Sequence, residues 1–154
     1  MDEDQKILLE EFFNSAQLLL ATDGYVSPLY ILLKDKTATP ITHDGKITVA
    51  EYANVVTEMA CDDDMDAAIL ICEQTMVRSK NDDPGMQPYL NGEKPIREHP
   101  NAKHYLMGCF MTAEGKYETM VAEIHTEPSK GTRYVFEPEW MENVATNYLV
   151  PWRT

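Results

Sequence analysis

The chain has 154 residues, of which 44% are hydrophobic and 25% charged. This composition fits one globular domain of ordinary size and excludes a disordered chain, a collagen and a bare disulfide scaffold. Lys and Arg number 13 against 26 Asp and Glu, which gives a formal net charge of −13. Residues 1–77 hold 15 acidic and 4 basic side chains, whereas residues 78–154 hold 11 and 9. Such a charge disfavours direct binding to nucleic acid or to an anionic membrane, because both attract Lys and Arg.

The cysteines and the first residues indicate a cytoplasmic protein. Cys61, Cys72 and Cys109 are odd in number and match no zinc or redox spacing. Cys72 and Cys109 stand inside apolar runs, as reduced and buried thiols do. Residues 1–4 are acidic where a signal peptide is basic, and no apolar run approaches the roughly 18 residues of a membrane helix. We therefore expect neither export nor a membrane span.

The hydrophobic periodicity predicts nine elements along the chain. In chain order they are helix 4–21, strand 25–34, strand 37–41, helix 49–61, strand 67–77, strand 104–112, strand 117–126, strand 132–136 and a short helix 138–148. Gly24 suits a left-handed helix end, and Thr48 with Glu51 forms a capping box for the second helix. The run Ile69–Cys72 predicts a central strand that is buried on both faces. Pro138 is placed to begin the last helix.

This order of elements predicts a single α+β domain over residues 1–154. We expect a mostly antiparallel sheet of about five to six strands, with two main helices packed on one face and a short C-terminal helix. Residues 78–102 carry four prolines and two glycines without periodicity. A connection of that length is usually functional or disordered. We expect this Pro-rich loop to lie across the rim of the sheet.

Glu73 follows the most apolar stretch of the chain, where a carboxylate is costly to bury unless it is paired. One interpretation is structural: Glu73 emerges into solvent, or it pairs with Arg78, Arg97 or Lys103. The other is functional: Glu73 faces a cleft beneath the Pro-rich loop, where burial would raise its pKa. The further ligand-binding candidates in that cleft are Arg78, Arg97, His99 and His104.

No residue pattern predicts a cofactor, a metal or a catalytic residue. The four histidines include no HExxH pair and no zinc-finger spacing with a cysteine. A metal site formed by Glu98, His99 and His104 is the weaker alternative. The acidic run after Cys61 matches a calcium-loop template only in part, because Ala67 stands where the template needs glycine. Phosphate-binding glycine loops and serine-nucleophile motifs are also absent.

Large aromatic side chains gather near the end of the sequence. Trp140, Tyr148 and Trp152 are candidates for a hydrophobic dimer interface, since aromatic residues are enriched at interfaces. The alternative is a C-terminal tail that packs over its own core.

Three short motifs resemble those of a widespread, uncharacterised bacterial domain family. They are Asp23-Gly24-Tyr25 before an apolar strand, a buried strand ending in Glu73-Gln74-Thr75-Met76, and His99-Pro100 with Lys103 before a further strand. The family pattern has Ala-Trp where this chain has Gln74-Thr75, and Glu where it has His104. The resemblance covers residues 5–125. Members of the family resemble products of phages, integron cassettes and other mobile elements, and the resemblance implies a fold but no reaction.

Three functions fit these observations. The first is a cytoplasmic accessory protein that acts by protein contacts, either with itself as a homodimer or with a basic partner. The second is a small-molecule-binding protein or enzyme with its cleft under residues 78–102. The third is an acidic mimic of DNA, which requires carboxylates spaced like phosphates on one face.

Overall fold

A computed structural model describes residues 1–43, 45–77, 84–135, 137–142 and 148–153, with only the backbone of residue 142. These residues form an α+β fold with three helices and one antiparallel sheet. The helices are α1 (Glu3–Asp23), α2 (Val49–Asp62) and α3 (Gln87–Leu90). The strands are β1 (Leu29–Lys34), β2 (Thr37–Ile41), β3 (Ala67–Met76), β4 (Lys103–Thr112), β5 (Tyr117–Thr126), β6 (Arg133–Val135) and β7 (Glu139–Glu142). None of the helices in these ranges is long and apolar enough to cross a membrane.

The sheet has the order β2-β1-β3-β4-β5-β6, and β7 pairs with β5 on the same side as β6. β3 lies between β1 and β4 and pairs with β4 along its whole length, from Ala67 opposite Thr112 to Met76 opposite Lys103. Ile69, Leu70 and Ile71 are each at most 2% exposed. The predicted central strand, buried on both faces, is therefore confirmed.

The two long helices belong to different faces of the sheet. Successive residues of β3 point to opposite faces, and Ile69 and Ile71 are buried with Leu9 and Phe13 of α1 in what we call the α1-side core. Leu70 is buried with Val56 of α2 in the α2-side core. The expectation that both helices pack on one face is not confirmed. A central strand with apolar residues in every position must be covered on both sides.

Gly108 of β4 allows α1 to lie close to the sheet. A β-carbon built on Gly108 would stand 3.0 Å from Leu9 Cδ1, 3.1 Å from Phe13 Cδ2 and 3.2 Å from Ile71 Cδ1. Contacts of this kind are tighter than ordinary van der Waals separations. The missing side chain at this position therefore sets the depth at which α1 packs.

The predicted left-handed end at Gly24 and the Thr48 half of the predicted capping box are confirmed, and the structure adds a cap at Asp2. Asp2 caps α1 by accepting the Gln5 backbone N–H, and Gly24 ends that helix in the left-handed region with φ of 83°. Thr48 caps α2 by accepting the Glu51 backbone N–H at 3.1 Å. Each cap satisfies backbone groups that the first or last helical turn leaves without a partner.

The predicted C-terminal helix over residues 138–148 is wrong for residues 139–142, which form β7, and residues 143–147 lie outside the described ranges. β6 pairs with residues 124–126 of β5, which leaves residues 118–121 of that strand for β7. Pairing there satisfies backbone groups on both strands. It also packs Met141 against the α2-side core.

The described part of the Pro-rich loop is folded rather than extended. It contains α3 and two short 3-10 turns, at Pro84–Met86 and Ile96–Glu98. Met86 is buried, with 7% exposure. Residues 78–83 of the predicted loop lie outside the described ranges.

Candidate functional site around Glu73

Glu73 is the most enclosed carboxylate of the ion pairs in the described ranges, with 14% of its side chain exposed. Its Oε1 lies 2.6 Å from Arg133 Nη2 and 2.9 Å from His104 Nε2. Its Oε2 accepts the Val26 backbone N–H at 2.7 Å. Arg133 also donates from Nη1 to the Gly24 carbonyl at 2.6 Å. The carboxylate thus joins the end of β3 to β4, to β6 and to the segment after α1.

The register of the sheet explains why these side chains meet. Glu73 and Thr75 are two residues apart on β3 and share the face of the α1-side core. His104 of β4 stands directly opposite Thr75, and Arg133 of β6 stands opposite Thr126 of β5. We call Glu73, Thr75, His104 and Arg133 the Glu73 cluster.

The pKa of Glu73 is lowered rather than raised. Burial by itself raises it, but the hydrogen bond and charge of Arg133, the Val26 N–H and the hydrogen bond from His104 together outweigh that effect. Glu73 therefore stays ionised at neutral pH. The expectation that burial would raise the pKa of Glu73 is wrong because the site supplies three donors.

His104 connects the carboxylate to a hydroxyl group. Its Nδ1 lies 3.1 Å from Thr75 Oγ1, while its Nε2 faces Glu73. An ionised carboxylate accepts hydrogen bonds only, so Nε2 carries the proton. In the neutral ring Nδ1 is then free to accept the Thr75 hydroxyl. The cluster contains an ordered carboxylate–imidazole–hydroxyl chain.

Two of the five predicted ligand-binding residues, Glu73 and His104, come together. Arg97 is exposed in the second 3-10 turn. His99 contacts Tyr89, with ring centroids 4.8 Å apart and ring planes tilted by 59°, and its Nδ1 accepts the Asn101 backbone N–H. Within the described ranges no hydrogen bond or ion pair joins Arg97 or His99 to Glu73 or His104. The fifth residue, Arg78, lies outside those ranges.

Sequence reasoning missed Arg133 and Thr75. The partners expected for Glu73 were Arg78, Arg97 and Lys103, but Lys103 pairs with Glu123 at 3.4 Å. Arg133 is 60 residues from Glu73 in the chain, and only the pairing of β6 with β5 brings it near. Thr75 carried one signal, since it follows Glu73 at the spacing that puts two strand residues on one face.

The three aromatic interface candidates do not form one patch. Trp152 packs against the α2-side core and donates from Nε1 to the Met65 carbonyl at 2.9 Å, as a tail over its own core does. Tyr148 is 39% exposed, and its carbonyl accepts the Tyr30 hydroxyl. Trp140 is 38% exposed on the α1 side, where Lys6 Nζ lies 5.6 Å from its ring centroid.

Cys72 and Cys109 are buried free thiols, as predicted. Burial raises the pKa of Cys72 to about 12 and that of Cys109 to about 11. Both therefore stay protonated and act as small hydrophobic side chains. Within the described ranges no group of three or more His, Cys, Asp and Glu is arranged to hold a metal ion.

A second charged region lies at the opposite end of β3, where the fold joins acidic segments that are far apart in the sequence. The Asp35 backbone N–H donates to Asp66 Oδ2 at 2.9 Å, which lowers the pKa of Asp66. Arg153 contacts three carboxylates there, at 2.8 Å from Asp64 and 3.4 Å from both Asp66 and Glu114. We define the acidic end as Asp2, Asp4, Asp35, Asp64, Asp66 and Glu114.

A cleft with a volume of about 340 Å³ opens at the acidic end, between the start of α1 and the β1–β2 hairpin. Its apolar lining comes from Leu8, Leu33 and Ala38. Its charged lining is Asp2, Asp4, Asp35 and Lys36. Asp2 is engaged as the cap of α1, whereas the carboxylates of Asp4 and Asp35 make no hydrogen bond or ion pair with other described residues.

Comparison of the chain with protein-family models, with curated proteins and with solved structures finds no match. The resemblance to a bacterial domain family thus continues to depend on the three short motifs.

Proposed function

We propose that this protein acts by contacts with another protein, and that the partner presents a basic surface to the acidic end. The proposal places the protein in the cytoplasm as an accessory protein. The motif resemblance supports an origin on a phage, integron cassette or other mobile element.

The observation that carries this proposal is the convergence of acidic segments from α1, the β1–β2 turn, the start of β3 and the β4–β5 turn. Arg153, Lys34 and Lys36 offset only part of this charge. A concentrated field of one sign steers a partner of opposite charge and selects against partners of like charge. The chain's net charge of −13 acts in the same direction.

The cleft at the acidic end gives the contact a shape. A lysine or arginine side chain has an apolar stem and a cationic head. The stem fits Leu8, Leu33 and Ala38, and the head reaches the carboxylates of Asp4 and Asp35. A partner segment that carries such side chains is therefore the occupant we propose.

Binding of a fluorescent lysine-rich peptide, measured by anisotropy, tests this proposal. We expect Asp4→Asn with Asp35→Asn to weaken binding about two- to tenfold, since an exposed ion pair contributes about 0.2–1 kcal/mol. Asparagine suits position 35, where φ is 52°. Higher salt should weaken the wild-type complex, because exposed charges are screened.

Glu11→Gln with Glu58→Gln is the matched control, since it removes the same charge from exposed positions outside the cleft. An equal loss of affinity in the control would show a response to net charge alone and would overturn the docking site. A peptide that fails to bind the wild type at low salt would overturn the proposal itself. A dimer in sedimentation that the Asp4 and Asp35 substitutions leave intact would assign the function to self-association instead.

The DNA-mimic alternative has a separate test. The test is competition: duplex DNA and this protein should compete for the same surface of a partner that binds DNA. The small-molecule alternative, with its predicted residues in one cleft, is less well supported, because Arg97 and His99 make no polar contact with Glu73 or His104.

A further inference from the structure

We propose that Thr75 is a nucleophile that accepts an acyl group from small activated esters, with His104 as its general base and Glu73 as the group that orients the base. This activity is separate from protein binding at the acidic end and uses none of the same residues.

The geometry has the two contacts that such a chain requires. Thr75 Oγ1 lies 3.1 Å from His104 Nδ1, within reach for proton transfer, and His104 Nε2 lies 2.9 Å from Glu73 Oε1. A nucleophile, a base and an orienting group at these separations form the general arrangement of covalent catalysis by hydroxyl groups. Sequence position does not define the arrangement, so the absence of a nucleophile motif in the chain does not exclude it.

The orienting group is held more firmly than an ordinary surface pair would be. Arg133 and the Val26 N–H fix both oxygens of Glu73. Glu73 is thereby kept ionised and pointing at Nε2, and the imidazole keeps the tautomer whose Nδ1 accepts a proton. His104 is itself 42% exposed, so the solvent side of the cluster is open to a small substrate.

The proposed reaction has two balanced steps. The Thr75 hydroxyl gives its proton to His104 Nδ1 while its oxygen bonds to the ester carbonyl carbon. The bond from that carbon to the alcohol oxygen breaks, and the leaving alcohol takes the proton from His104. Water then attacks the threonine ester in the same manner and releases the carboxylic acid and the free hydroxyl.

4-Nitrophenyl acetate tests this proposal in the full-length chain. We expect release of 4-nitrophenolate together with one acetyl group that intact-mass and peptide analysis place on Thr75. Thr75→Val keeps the shape and suits a strand, and it should abolish the adduct at residue 75 and lower the release rate about 100-fold. Thr75→Ser should retain both.

His104→Gln should lower the rate of 4-nitrophenolate release by a similar factor. Glu73→Gln removes the orienting carboxylate and should lower that rate as well. The matched controls are Thr39→Val on the exposed edge strand β2 and His43→Gln at an exposed position after that strand, both of which should match the wild type. Far-ultraviolet circular dichroism of each variant separates lost chemistry from lost folding.

Two results would overturn the proposal. One is a wild-type protein in which acid quenching during the first turnover traps no acetyl group on Thr75. The other is a Thr75→Val variant, folded as the wild type, that releases 4-nitrophenolate at the wild-type rate, because the imidazole would then be reacting directly. Either result leaves the binding experiment at the acidic end unaffected.

Discussion

Glu73 shows how a carboxylate is accommodated beside a fully apolar strand. Its neighbours in β3 form the centre of the sheet, yet it accepts hydrogen bonds from Arg133, His104 and the Val26 N–H. These donors compensate for the lost hydration. The chain needs the charge there because a neutral side chain would leave Arg133 without its counterion.

Substitution of Glu73 by Gln should therefore destabilise the fold. We expect the free energy of unfolding in urea at neutral pH to fall by about 1–3 kcal/mol, because Arg133 keeps its charge and loses the anionic acceptor. Glu58→Gln, at an exposed position of α2, is the control and should change the free energy of unfolding by less than about 0.5 kcal/mol. Equal stability of Glu73→Gln and wild type would contradict the role assigned to the carboxylate.

The contribution of Glu73 should also depend on pH. Because its pKa is lowered in the folded state, the stabilisation is complete above the ordinary glutamate pKa and is lost as pH falls through the folded-state value. The difference in unfolding free energy between wild type and Glu73→Gln should therefore shrink from about pH 6 to about pH 3. Urea titrations of both proteins across that range measure it. A difference that grows in acid would mean that the folded state favours protonated Glu73.

At the scale of elements, the distance between α1 and the sheet depends on one missing side chain. Gly108 in β4 faces Leu9 and Phe13 of α1 and Ile71 of β3, all of them buried. Replacing a strand glycine by alanine usually stabilises a protein, because alanine leaves the unfolded backbone fewer conformations than glycine does. At Gly108 the closely packed neighbours reverse this effect, so alanine should destabilise the fold.

Gly108→Ala should lower the free energy of unfolding by about 1–3 kcal/mol through overpacking. In a Leu9→Ala background the added methyl group gains space, so the same substitution should cost less. A double-mutant cycle in urea measures this coupling. Additive effects of the two substitutions would show that Leu9 is not the obstacle.

The pairing of β5 shows a limit of prediction from the local sequence of single elements. Its boundaries, residues 117–126, were predicted from periodicity and are confirmed. Residues 139–142 were predicted as helix, because Pro138 suits the first helical position. Their strand conformation follows from the open edge that β6 leaves on β5, which no local pattern records.

At the scale of the whole molecule, the charge is unevenly placed. The fold brings acidic residues of the first half together with Glu114 at the acidic end, and Asp62 adds a negative charge at the last residue of α2. An acidic residue at a helix C-terminus opposes the helix dipole. Repulsion among the acidic side chains and the position of Asp62 at the helix C-terminus both lower the free energy of unfolding.

Asp62→Lys should raise the free energy of unfolding by about 0.3–1 kcal/mol at low salt, since a cation suits the end of a helix. The gain should diminish in high salt, where exposed charges are screened. Thermal or urea unfolding at two salt concentrations checks both parts. A loss of stability at low salt would indicate that Asp62 makes a favourable contact in the native state.

The sequence by itself determined the acidic character, the α+β class, the doubly buried central strand and most element boundaries. These properties follow from composition and from the periodicity of hydrophobic residues within single segments, and neither depends on contacts between distant parts of the chain. It also marked Glu73, because a carboxylate beside an apolar strand needs partners, and it marked His104 as a further candidate in the expected cleft. Only the tertiary structure decided that α1 and α2 cover opposite faces and that Arg133 and Thr75 complete the cluster. It likewise joined distant acidic segments at one end, because strand pairing between remote segments depends on the burial of the whole sheet.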